Sequence, residues 1–373
     1  MRFVEIIGGW VNRHFSNEEA IFLVALIVAV TLVVLTLGTV LAPVLAGLVF
    51  AFLLQGLVKG LERWHVPRIV AVSFAVLLLV GALVLVSIGV LPLVWRQLEE
   101  FVAALPDFIA EVGSALAELP ERYPTVFPQE RVNGWIDTMS NQVANLGTTV
   151  LQALVAQVSN VFQMLIFLVL APISVFFFLK DSDRLMAALE RALPPQRRLL
   201  TRVGREMNAQ IANYVRGKVV EIVIVGLASY ITFVLLGLNY AALLGVVVGL
   251  SVLVPFVGAA VVTVPVAAVG LLQHGWSIEL AYVMGAYAVI QAIDGNVLVP
   301  LLFSEAVNLH PIAIIVAVLA FGGIWGFWGV FFAIPLATLI KAVYNAWPSK
   351  VEEEGEQAAA EEPLPSADPP EPS

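Results

Sequence analysis

The sequence predicts an all-α polytopic integral membrane protein with about eight hydrophobic segments, and three observations carry that prediction. Sixty percent of the 373 residues are hydrophobic and only 13% are charged, far more apolar than a soluble domain. Several apolar runs exceed the roughly 18 residues that mark a transmembrane helix. Two stretches are too long for one span and carry helix breakers in the middle, so two segments are expected to be interrupted or re-entrant.

The elements follow in chain order. Residues 1–19, with Arg2 and Arg13, form a cytoplasmic amino terminus. The run Ala20–Leu37 is too long for the core of a signal peptide, and a second span follows at once. That span, Thr39–Val58, contains Pro43 and Gly47. The next loop carries Lys59, Arg63 and Arg68 against Glu62, and basic loops stay in the cytoplasm. Ile69–Trp95 then crosses outward, which completes three membrane segments in 20–95.

Residues 96–150 differ in kind. Eight acids oppose Arg96, Arg122 and Arg131, which fits an extracytoplasmic position. Apolar residues from Leu98 to Leu119 recur at helical spacing, with a kink expected at Pro106. A second stripe runs through Val132, Trp135, Ile136, Met139, Val143 and Leu146. The reading is an amphipathic helical arm that either touches a neighbouring subunit or packs on the membrane surface or its own subunit.

A fourth membrane segment occupies 151–179. Residues 180–218 hold nine Lys/Arg against four acids, a cytoplasmic segment beside anionic lipid, with no nucleic-acid partner expected. The core, 219–347, opens with Val219–Leu236. Tyr240–Leu272 would as one helix reach roughly 50 Å against a core of about 30 Å, and Pro255 and Gly258 divide it. Ile312–Ala346 has the same excess, with Gly322, Gly323 and Gly326 in its middle. Each is a pair of re-entrant halves or one tilted, Pro-kinked helix, with a slight preference for the former. From Pro348 the tail holds eight acids and one Lys. Acidic and Pro-rich, 348–373 is expected to be disordered.

Between Gln291 and Pro335 polar groups and breakers coincide. A carboxylate at bilayer depth costs at least about 2.5–3.5 kcal/mol, and backbone breaks are tolerated only where protein or a watery cavity satisfies the freed groups. Asp294, with Gln291 one helical turn earlier and Asn296 beyond Gly295, is the candidate solute- or cation-binding group. The alternative is an Asp that pins a helix break. Backbone ligands are expected near Pro255, Gly258, Pro300, Gly322, Gly323, Gly326, Gly329 and Pro335. Glu305 is a secondary candidate, placed at the membrane interface. Acid and breaks together suggest a polar path through the membrane, hence a transporter; a non-transporting scaffold is the competing class. The chain has no Cys and four scattered His, so no metal, cofactor or cysteine-nucleophile motif is expected. Phosphate-loop and nucleophile-elbow motifs are absent, which argues against an ATPase and a common hydrolase.

Ordered blocks of this sequence resemble the autoinducer-2 exporter (AI-2E) family of bacterial permeases. They are LAPVLAGLVFAFLLQGLVKGLERWHVPRIVAV (Leu41–Val72), PISVFFFLKDSDRL (Pro172–Leu185), IANYVRGKVV (Ile211–Val220), DGNVLVP (Asp294–Pro300) and GGIWGFWGVFFAIPLA (Gly322–Ala337). The family usually shows Glu at Asp294 and often Gln at Lys218. The resemblance implies an inner-membrane transporter with about eight membrane segments, assembled as a homo-oligomer, with a pentamer as the candidate number; loop charge and the number of crossings place both termini in the cytoplasm. It implies export of the quorum-sensing furanone or sodium/proton antiport, and no cofactor.

Overall fold

The computed structural model describes residues 18–122, 127–158, 161–193, 198–255, 257–303 and 309–346. Glu305 and the acidic tail lie outside the described residues. The fold is helical, because backbone in hydrocarbon has no water to satisfy it and each segment must bond internally. Among the described residues six helices are long and apolar enough to cross a membrane, or seven if the bent pair Leu165–Lys180 and Ser182–Arg191 counts as one span. Leu77, Leu85 and Ile88 are more than 70% exposed, the mark of a lipid-facing surface.

Helix α1 is Glu18–Arg63 and runs through Pro43. The two separate spans expected in 20–58 are therefore one helix with no turn between them. Proline removes one hydrogen bond and does not by itself reverse a chain. Helix α2 (Arg68–Leu85) continues through a π segment (Val86–Val90) into α3 (Leu91–Ala117). Arg68 starts α2 and ties it to the end of α5 (Val161–Lys180) through the Leu179 carbonyl at 3.0 Å, and it pairs with Asp183 just beyond that helix.

The arm consists of α3 and α4 (Gln129–Val158). These helices cover each other. A Cβ on Gly113 would lie 3.4 Å from Ile136, and one on Gly147 would lie 3.7 Å from Val102. Val102 and Ile109 are buried, so this part of the apolar stripe is satisfied within the subunit. Phe101 faces the protein's own core, edge-on to Tyr240 at 5.5 Å.

The described parts of the 180–218 segment are largely helical. Helix α6 (Ser182–Ala192) precedes α7 (Arg198–Leu235), the axis on which the core is built. Helix α8 (Ala241–Ser251) returns along α7 in very close contact. Cβ atoms added at Gly245 and Gly249 would meet Tyr230 at 2.7 Å and Gly226 at 2.8 Å. The two glycines, four residues apart, let the backbones meet as small residues do in membrane helices. Helix α9 (Val257–His274) then runs back. Gln273, near its end, donates to the Gly237 carbonyl at 2.7 Å and accepts from the Asn239 N–H at 2.7 Å. Both ends of 237–273 thus lie at one end of the bundle, and the stretch is a hairpin rather than a crossing. Its base is docked on the arm helix α3, where Gln97 accepts from the Leu243 N–H at 2.9 Å. We expect single cysteines placed at His274 and Ser114 to react with an impermeant thiol reagent from the same side of the membrane. Labelling from opposite sides would refute the hairpin.

Helices α10 (Ile278–Ile293), a π segment (Asp294–Leu298) and α11 (Val299–Phe303) form the next passage. Helix α12 (Pro311–Ala346) turns at Gly326, whose φ of 58° and ψ of −132° suit glycine alone. A Cβ on Gly329 would overlap the Phe321 carbonyl oxygen, and one on Gly322 would lie 2.9 Å from Val330. In a straight helix residues eight apart are about 12 Å distant, so the chain folds back on itself here. This second hairpin lies along the opposite half of α7. Leu339, Ala342 and Val343 pack with Leu200 and Val203, while Phe331 and Ile334 pack with Tyr214 and Val215.

Candidate functional site

The two hairpins approach α7 from its two ends and converge near its middle. Leu253 and Val254, from the tip of the first, share one buried cluster with Ile314, Val318 and Phe331 of the second. At that level α7 turns polar groups inward. Tyr214, Lys218, Glu221 and Ser229 are 2%, 4%, 1% and 0% exposed, at spacings that share one helical face. The Lys218 ammonium is 2.7 Å from Glu221 Oε2 and donates to the Val252 carbonyl at 2.8 Å. It also lies over the Phe303 ring, 5.2 Å from its centroid. Val252 follows the last residue of α8, where a helix leaves carbonyls without internal partners. Lys218 therefore joins α7 to the hairpin tip.

Asp294 opens the π segment of the neighbouring passage and is 91% buried, from an exposure of 9%. It lies within electrostatic reach of Lys218 and of Glu221. Among the described residues its Oδ1 has no hydrogen-bond partner, and neither do Tyr214 Oη, Ser229 Oγ or Gln291 Nε2. Buried orphan groups of this kind mark a place for water or a bound polar molecule. The three charged groups sum to −1 when ionised. The π register at Asp294 is itself a feature that recurs at functional sites.

The predicted residues divide. Asp294 joins the buried cluster, and Gln291 is half-buried with an enclosed, unpartnered amide. Asn296 does not join: it is exposed, and its side chain donates to the Ala292 carbonyl at 2.8 Å. Pro255 lies in the first hairpin's tip turn, and Gly258 begins α9 against the Ser251 carbonyl. Gly326 makes the second turn and Gly329 the close approach behind it. Gly322 and Gly323 are helical and make no break. Pro300 and Pro335 also sit inside helices, α11 and the returning half of α12. The break expected at Gly295 is a π segment, which keeps the backbone bonded while shifting the register.

Lys218 and Glu221 were missed as site residues. Sequence reasoning assigned Lys218 to the basic 180–218 segment and began the span one residue later. The available signal was a Lys and a Glu three apart at the start of an apolar run, KVVEIVIVG, where both must find partners once buried.

A helical membrane bundle in which two opposed hairpins close on a buried ion pair and an unpartnered carboxylate has the architecture of a membrane permease. The family model described as AI-2E family transporter matches residues 20–349, and the chain belongs to that family. It is 44% identical to a protein named permease PerM of Escherichia coli (strain K12), over 92% of this chain and 98% of that one. It is 26% identical to a transport protein named YueF of Bacillus subtilis (strain 168), over 77% of this chain and 78% of that one. It is 23% identical to the AI-2 transport protein TqsA of Escherichia coli (strain K12), over 76% of this chain and 79% of that one.

Proposed function

We propose that this permease is a secondary transporter that moves a small polar solute across the bacterial inner membrane by alternating access, coupled to a monovalent cation. The observation that carries the reading is Asp294: a buried carboxylate with one oxygen unpartnered among the described residues, within electrostatic reach of the Lys218 that bonds the tip of the first hairpin. An oxygen ligand of that kind suits a cation or the hydroxyls of a polar solute. The opposed hairpins supply the moving parts, since each packs along its own half of α7. The name of TqsA supports an autoinducer-2-like furanone as the first solute to test. Sodium/proton antiport by the same carboxylate is the alternative, favoured by the formal charge of −1 in the site. The protein is proposed to work as a homo-oligomer, with a pentamer as the number to test by native mass measurement.

The test is flux into liposomes containing the purified protein, with candidate solutes and imposed proton or sodium gradients. Asp294→Asn is expected to keep expression and assembly and to lose most of the flux. Normal flux in that variant across the pH range would overturn the reading.

A further inference from the structure

The Lys218 ammonium occupies the position of a bound alkali cation, and we propose that it acts as one. Hard cations are held by carboxylate and backbone carbonyl oxygens, and that is what surrounds this ammonium. Glu221 Oε2 lies at 2.7 Å, the Val252 carbonyl at 2.8 Å, and Asp294 lies within electrostatic reach from the opposing π segment. The Phe303 ring closes a further side, with its face toward the charge at 5.2 Å. Carboxylate and hairpin-tip carbonyl are donors of a cation site that would link α7 to the first hairpin, within the field of the Asp294 carboxylate. Here the protein supplies the cation itself, on a tether.

The consequence is specific. With Lys218 in place, the Glu221 carboxylate and the Val252 carbonyl already hold a fixed positive charge, and this position takes no sodium; the coupling cation of the transport reading is then the proton. A neutral residue at 218 leaves the Glu221 carboxylate and the Val252 carbonyl without their cation, in the field of Asp294. Buried charges left without a partner are strongly unfavourable, so sodium enters as the replacement. This inference rests on the proposed transport role of Asp294 for its meaning, but its readout is binding and is independent of flux.

The experiment measures thermal stability of the purified full-length protein, with choline chloride replaced by sodium chloride at constant ionic strength. The wild type is expected to show no sodium-specific change. Lys218→Gln is expected to be destabilised in choline and to regain stability in sodium in a saturable way, as a ligand that binds only the folded state requires. Lys218→Ala is expected to respond to methylammonium as well, which restores the missing group without its tether. The double variant Lys218→Gln/Glu221→Gln is expected to lose the sodium response. A saturable sodium response in the wild type overturns the proposal, and so does its absence in both single variants. If Lys218→Gln does not fold in choline, recovery of folded protein in sodium supports the proposal, and failure in both salts together with no response from Lys218→Ala overturns it. Loss of flux in Asp294→Asn with no sodium response in the Lys218 variants would leave the transport reading standing and remove this one.

Discussion

Gly329→Val is expected to lower the melting temperature of the solubilised protein by roughly 5–10 °C, a destabilisation of about 3–5 kcal/mol. The cause is local and steric. A Cβ at 329 would overlap the Phe321 carbonyl oxygen on the outgoing half of α12. Backbone, unlike a flexible side chain, has no rotamer to retreat into. The hairpin must open, and with it the packing of Phe331 and Ile334 on Tyr214 and Val215. Gly258→Val is expected to do the same at the first hairpin, against the Ser251 carbonyl. Gly323→Ala is the control, since nothing lies within 4 Å of a Cβ there and its backbone is helical. That variant should be neutral or slightly stabilising, by up to about 1 kcal/mol. Equal losses at 323 and 329 would show that the close approach does not exist.

Glu221→Leu is expected to cost about 3–5 kcal/mol, because it removes one partner of a buried pair and strands the other. Lys218 and Glu221 side chains are 5% and 2% exposed, so water cannot take over the lost interaction. Replacing both, as Lys218→Met/Glu221→Leu, is expected to cost clearly less than the sum of the two single changes, since no unpaired ammonium remains. Recovery stays partial because Asp294 then faces no positive charge. The check is a double-mutant cycle on melting in one detergent. Additivity within about 0.5 kcal/mol would show that the two residues are not coupled.

The sequence by itself determined the solvent of this protein. Apolar runs of membrane length and helix-only backbone in lipid follow from composition and length, which are local properties. It also singled out Asp294, which the structure buries, because a charge inside an apolar run is costly wherever the chain folds. It marked the two over-long stretches in 240–272 and 312–346 as broken, since a single helix of that length does not fit the bilayer.

Only the tertiary structure decided which breaker acts. Gly322, Gly323 and Gly326 read alike in sequence, yet Gly326 alone adopts positive φ, because the return of Gly329 and Val330 against Phe321 and Gly322 sets where the turn falls. Pro43 and Pro335 are equally strong signals on paper and sit inside continuous helices. Asn296 shows the same limit from the polar side: its spacing from Asp294 is short, but its amide is turned back to Ala292. Lys218 could not be told from its neighbours in a basic segment, because a lysine in water and a lysine in a buried pair have the same local sequence. What separates them is the hairpin tip that brings the Val252 carbonyl from 34 residues away and so turns the end of a charged segment into the centre of the site.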